Sequence, residues 1–183
     1  NGKIPRNPFA MYHVDPDHKE REFLTLDELT AMTEIKLEDP NMAFARDLFI
    51  FGCWTGISFI DIKNLTEDNI SIVNDAPWII SKRQKTGVPF QIKLMDIPML
   101  IIERYKSFRK DNHLFNIGNL DSINKRIKKV AAMCGIKKRV SFHVSRHSWA
   151  VLALEYGMPI ESVSKILGHT NITTTQIYAK VTS

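Results

Sequence analysis

The hydrophobic period of this chain changes twice, and those changes bound its architecture. Before about residue 67 apolar side chains recur at helical spacing. The stretches "NISIV", "WIISKRQ" and "VPFQIKL" then alternate as three short strands. Asn74, Asp75 and Pro77 read as the first turn between them, and Thr86 and Gly87 as the second. Helical spacing returns afterwards and runs to the end. Strands this short cannot bury a core alone. The expectation is a mainly α chain with a small three-stranded antiparallel sheet, an α+β fold.

The helix boundaries follow from punctuation. Residues 1–24, with Pro5, Pro8 and Pro16, read as an extended arm or linker. Thr25 and Glu28 have capping-box spacing and open a helix through about residue 36. A second helix runs from Asn41 to Trp54 and stops at Gly56, followed by a short one with Ile57, Ile60 and Leu65 facing inward. Asp96 caps a helix ending near Lys110. Residues 122–134 form an amphipathic helix with Ile123, Ile127, Val130, Ala131 and Cys134 on one stripe. Helix 144–156 ends at Gly157, Pro159 opens the next, which stops at Gly168, and Asn171 caps the last.

Composition narrows the class. The chain has 183 residues, 44% of them hydrophobic, enough for one domain with a real core. No run of about 18 apolar residues marks a membrane span. The polar, Pro-broken start does not read as a signal peptide. Cys53 and Cys134 lie in apolar helical patterns and read as reduced, buried thiols of a cytoplasmic protein. The net charge of +5 is unevenly spread: residues 1–67 carry 7 basic and 12 acidic side chains, residues 104–139 carry 11 and 2. The basic block suits a polyanion partner, or else a solvated lysine face.

The C-terminal part of the chain holds most of the chemistry. His143 and Arg146 in "SFHVSRHSWA" stand at i and i+3 and share a helical face. A guanidinium there can grip two phosphate oxygens. His169 and Tyr178 follow in "LGHTNITTTQIYAKV". Tyrosinate at pH 7 lies about 4 kcal/mol uphill, so a phenol attacking a phosphodiester needs a proton acceptor, cations on the phosphoryl oxygens and an acid for the leaving oxygen. Lys85, in the turn "RQKTGV", is a candidate acid. Taken singly, Tyr178 also suits packing and Lys85 an exposed turn. His143 and His147 stand at i and i+4, but Val144 occupies the place of a metalloprotease glutamate, so no metal is expected.

These blocks resemble the catalytic domain of the tyrosine recombinases, the phage-integrase family, over about residues 20–182. "SFHVSRHSWA" is similar to the family's H-x-x-R-H segment, "LGHTNITTTQIYAKV" to its L-G-H…Y segment, and "FGCWTGISFIDIKNLTEDNI" to its T-G-x-R-x-x-E-L block. The resemblance implies the fold of DNA breaking-rejoining enzymes over residues 25–183, with the N-terminal core-binding domain lying outside this chain. It implies Tyr178 as nucleophile forming a 3′-phosphotyrosyl link, His143, Arg146 and His169 around the phosphate, Lys85 as general acid, and Asp61 as an orienting carboxylate. It implies no metal and no cofactor. The expected partner is double-stranded DNA, recombined through a Holliday junction by a homotetramer, with accessory DNA-bending proteins, in a bacterial cytoplasm. A type IB topoisomerase and a catalytically silent DNA-binding relative are the alternatives.

One position departs from the pattern. Where the family has an arginine two residues after T-G, this chain has Ser58. Arg83 precedes Lys85 by two positions on a predicted strand, so both should point to one face. Arg83 is therefore the expected replacement, with Arg46 and Arg139 as lesser candidates. Lys125, Lys128 and Lys129, with Lys137, Lys138 and Arg139, are the expected phosphate contacts on DNA. Gln84, Lys93 and Asn124 are candidate base readers.

Overall fold

The computed structural model describes residues 22–182. The arm expected at 1–24 thus falls almost wholly outside the described residues. Helix α1, Leu26–Glu34, opens with the expected capping box: Thr25 accepts from the Glu28 amide, and Glu28 accepts from that of Thr25. Helix α2, Pro40–Thr55, is the core element. Leu48, Phe49, Ile50 and Phe51 are consecutive and all buried. A helix apolar all round must be enclosed by others, and α1 packs around it with α4 (Asp96–Arg104), α5 (Leu120–Met133) and α6 (His143–Glu155).

Two glycines set how closely helices approach. A Cβ on Gly52 of α2 would stand 2.5 Å from Oγ of Ser145 on helix α6, His143–Glu155. Gly56 closes α2 in the left-handed region, φ +69°, and its missing Cβ would lie 2.6 Å from the Trp149 ring. Gly56→Ala therefore combines backbone strain with overpacking and should cost about 3 kcal/mol. A lowered urea midpoint with an unchanged slope is the expected reading; an unchanged midpoint would refute it.

The sheet has the order β1-β2-β3, all antiparallel: β1 Ile70–Val73, β2 Ala76–Lys82 and β3 Pro89–Lys93. Asn74 and Asp75, both at positive φ, make the two-residue hairpin turn. Pro77 is not in the turn as expected but in β2, opposite Ile72. Its carbonyl accepts from the Leu94 amide at 2.9 Å, just past β3, and the ladder with β3 begins at Trp78, so the missing N–H interrupts no β2–β3 pair.

Other boundaries also differ from expectation. The five-residue helix α3, Phe59–Lys63, turns Asp61 and Ile62 inward and leaves Ile60 47% exposed, not buried. Helix α4, Asp96–Arg104, has no side-chain cap from Asp96, and it stops well before Lys110. It ends where Arg104 and Tyr105 both turn to Asp47, with a single 3₁₀ turn, Lys106–Phe108, beyond. Asp47 also accepts from Arg46 Nε at 2.7 Å. Arg46 Nη1 donates to the carbonyls of Met32, Thr33 and Ile35, so this buried node closes α1 and joins it to α2 and α4. Burial and the Asp47 carboxylate raise the Tyr105 phenol above its ordinary pKa. Arg46 is thereby committed to the fold and is no replacement for the missing arginine.

Helix α5, Leu120–Met133, starts at Asn119, whose side chain accepts from the Ser122 amide. Ile123, Ile127, Val130 and Ala131 are buried, while Lys125, Lys128 and Lys129 are exposed. Cys53 is buried, as expected, and its thiol pKa is raised well above the usual range by burial. Cys134 is only half-buried at the end of α5. Helices α7, Ile160–Leu167, and α8, Thr173–Thr182, complete the fold. The Asn171 side chain accepts from the Thr173 amide at the start of α8. Among the described residues no helix is long and apolar enough to cross a membrane.

Candidate active site

The site forms where two helices end. Gly56 closes α2 and Gly168 closes α7, both left-handed. Helix C-termini present carbonyls with partial negative charge, and Arg146 of α6 fills the space between them. Its Nη1 donates to the Gly56 carbonyl and its Nη2 to the Leu167 carbonyl, each at 2.8 Å. The two glycine motifs are thus the seats of one guanidinium. Two of its five N–H groups are used in this way. Burial, then the charge of Arg83, push the Arg146 pKa down to about 10, while Tyr178 and Asp61 act in the opposite sense. It stays cationic at neutral pH. The same influences put Arg83, Asp61 and Tyr178 within electrostatic reach of Arg146.

Arg83 reaches this place by a route the sequence did not suggest. It lies just past β2, not on it, and it does not share a face with Lys85: Arg83 is 6% exposed, whereas Lys85 stands in solvent on the turn. Three contacts aim it inward. Nη1 donates to Asp61 Oδ2 at 3.3 Å, the guanidinium lies 4.1 Å over the Phe90 ring, and the side chain passes Gly168, where a Cβ would meet Nε at 3.3 Å. The Ser58 hydroxyl donates to the same Asp61 oxygen at 2.7 Å, and the Gln84 backbone N–H donates to Oδ1 at 2.8 Å. Asp61 thereby brings Ser58 and Arg83 to one carboxylate. Nε and Nη2 of Arg83 are buried with no hydrogen-bond partner among the described residues. Burial lowers its pKa, against the pull of Asp61.

Tyr178 is 4% exposed, and its phenol is hydrogen-bonded to Nδ1 of His147. The two rings lie 5.5 Å apart. His147 in turn meets His143 edge-on at 4.5 Å. One face of α6 therefore carries His143, Arg146 and His147, with α8 packed beside it. His147 is the partner that sequence reading missed. The signal was present: it stands one helical turn beyond His143. His169, just past α7, places Nδ1 2.7 Å from Thr175 Oγ on α8. Among the described residues no three His, Cys, Asp or Glu side chains gather in a way that could hold a metal ion.

Some expected DNA contacts are engaged internally. Lys138 donates to the Phe23 carbonyl and to Glu28, both at 2.9 Å, and so ties the start of α1 to the loop before α6. Lys138 is thus held by the fold where the sequence suggested a free phosphate contact. Asn124, a candidate base reader in the sequence, accepts through Oδ1 from the Phe142 amide at 2.8 Å and supports the start of α6. Lys137 and Arg139 are exposed, as is Lys93.

A buried phenol on an imidazole, beside seated guanidiniums, is thus carried by a helical body with one three-stranded sheet. The chain belongs to the phage integrase family, whose sequence profile matches residues 22–183. Among curated relatives, tyrosine recombinase XerC of Natranaerobius thermophilus is 47% identical over 98% of this chain and 65% of its own length. Tyrosine recombinase XerA of Pyrococcus horikoshii is 31% identical over 74% of this chain and 49% of its own length. The XerH site-specific recombinase, solved in a post-cleavage complex with its palindromic difH substrate, shares the fold: TM-score 0.75, 18% identity, 90% of this chain and 51% of that one. The chain spans about half to two thirds of the length of these relatives.

Proposed function

We propose that this chain is the catalytic domain of a site-specific DNA recombinase that cuts and rejoins double-stranded DNA through Tyr178. The observation that carries the reading is the Tyr178 phenol bonded to His147 on the helix face that presents Arg146. The phenol oxygen attacks phosphorus, the bond to the 5′-oxygen breaks, and a 3′-phosphotyrosyl link forms. The phenol proton passes to His147. Arg146 and Arg83 hold the phosphoryl oxygens as charge builds, with His143 and His169 as further donors. Lys85 moves in from the hairpin tip and protonates the leaving 5′-oxygen. Rejoining runs the same steps backwards, so the bond energy is kept and no metal or cofactor is required.

In this reading Arg83 replaces the arginine absent at Ser58. Its buried Nε and Nη2, without a hydrogen-bond partner among the described residues, support this, because a buried guanidinium with open donors is stabilised by an anion. Asp61 is the positioning residue that aims it. The exposed lysines of α5, with Lys137 and Arg139, supply salt-dependent contacts to DNA phosphates. The whole protein acts as a homotetramer in the cytoplasm, exchanging strands through a Holliday junction, with accessory DNA-bending proteins, in the service of an integrative mobile element.

The test is a duplex carrying the element's attachment site, nicked so that the short leaving strand diffuses away. A protein–DNA adduct that survives denaturation, with nucleotide on the tryptic peptide containing Tyr178, is the expected result. Retained DNA binding without an adduct would overturn the reading in favour of a silent binder, the alternative that Ser58 raises. Relaxation of supercoils with no recombinant product would favour a topoisomerase.

A further inference from the structure

Thr175 lies on α8 three positions before Tyr178 and is fully buried. A helical threonine commonly turns its hydroxyl to the carbonyl four residues earlier. Thr30, Thr33 and Thr55 do so here, each at 2.8 Å. Thr175 instead directs its Oγ to Nδ1 of His169 at 2.7 Å, its side-chain partner among the described residues. A buried hydroxyl proton needs an acceptor, and leaving it without one costs roughly 1–3 kcal/mol. If Nδ1 carried the hydrogen, the threonine would have to accept, and its own proton would be stranded. The His169 amide is bonded to the Ser164 carbonyl at 3.0 Å, which fixes the backbone from which the ring projects.

We infer that Thr175 is a positioning residue whose hydroxyl donates to Nδ1 and holds the neutral His169 imidazole in the form with its hydrogen on Nε2. That form presents a donor at the far side of the ring. The inference rests on the reading that His169 serves the scissile phosphate, where a donor is needed and a bare nitrogen lone pair would repel. Thr175 and Tyr178 ride on one helix. Seating of the nucleophile and selection of the donor tautomer are therefore a single event, and withdrawal of α8 releases both.

Nitrogen NMR of protein labelled with ¹⁵N-histidine reads the tautomer directly, above the ordinary imidazole pKa, with His169→Gln used to assign the signal. The expected spectrum has hydrogen on Nε2 in the parent and in Thr175→Ser, and a mixture in Thr175→Val. A parent spectrum with hydrogen on Nδ1 overturns the inference, even if no variant can be studied further. Trapped cleavage should fall about tenfold in Thr175→Val, the worth of one hydrogen bond, and recover in Thr175→Ser. Cleavage by the folded valine variant at the parent rate would also overturn it. The spectrum needs no DNA, so absence of cleavage in every variant would strike the recombinase reading and leave the tautomer assignment to be judged by itself.

Discussion

A Tyr178→Phe chain should form no covalent complex with DNA, however long it is incubated, while binding duplex as the parent does. The phenyl ring keeps the packing of α8 on α6 and removes only the oxygen bonded to His147. Loss of that hydrogen bond should cost about 0.5–1.5 kcal/mol of stability, too little to unfold a domain of this size. A denaturing gel checks the adduct, a gel shift the binding and a urea melt the fold. Residual adduct would move the nucleophile elsewhere. Tyr105 is poorly suited, since its hydroxyl serves Asp47 and its pKa is raised. Tyr156, 73% exposed at the end of α6, would be the next to replace.

Arg83→Ala should slow trapped cleavage by about 10²–10³, the cost of one preorganised donor to a developing oxyanion, or about 3–4 kcal/mol. DNA affinity should change far less, because Arg83 is buried while the lysines proposed to carry the general phosphate contacts are exposed. The fold should survive, since Asp61 keeps the Ser58 hydroxyl and the Gln84 backbone N–H. Arg83→Lys should recover only part of the rate, because an ammonium cannot bridge two oxygens as a guanidinium does. Ser58 and Arg83 share one Asp61 oxygen, so Ser58→Arg placed in the Arg83→Ala chain should restore part of the loss. If Arg83→Ala cleaves as fast as the parent while Arg146→Ala is inactive, Arg83 has no part in the phosphate site.

Much of this was legible in the sequence because the signals were local. The capping box at Thr25, the left-handed closures at Gly56 and Gly168, and the three-strand interlude each depend on residues a few positions apart. So did the shared face of His143 and Arg146. What could not be read was set by distant partners. Arg83 was expected to point with Lys85 by strand alternation, yet the chain leaves β2 at Lys82 and Asp61, Phe90 and Gly168 decide its direction. Lys138 and Asn124 looked available until α1 and α6 were brought beside them. His147 was weighed only as a metal ligand because the position of α8, which delivers the phenol, is a packing outcome with no short-range signature.

The hairpin tip bearing Lys85 stands out in solvent, while the guanidiniums it would work with are sunk between helix ends. In the proposed reaction the acid is therefore absent from the resting centre and arrives only when a bound duplex draws the tip inward. Strand breakage is then licensed by a properly seated substrate and not by any stray phosphate ester, a built-in safeguard against random nicking of the genome.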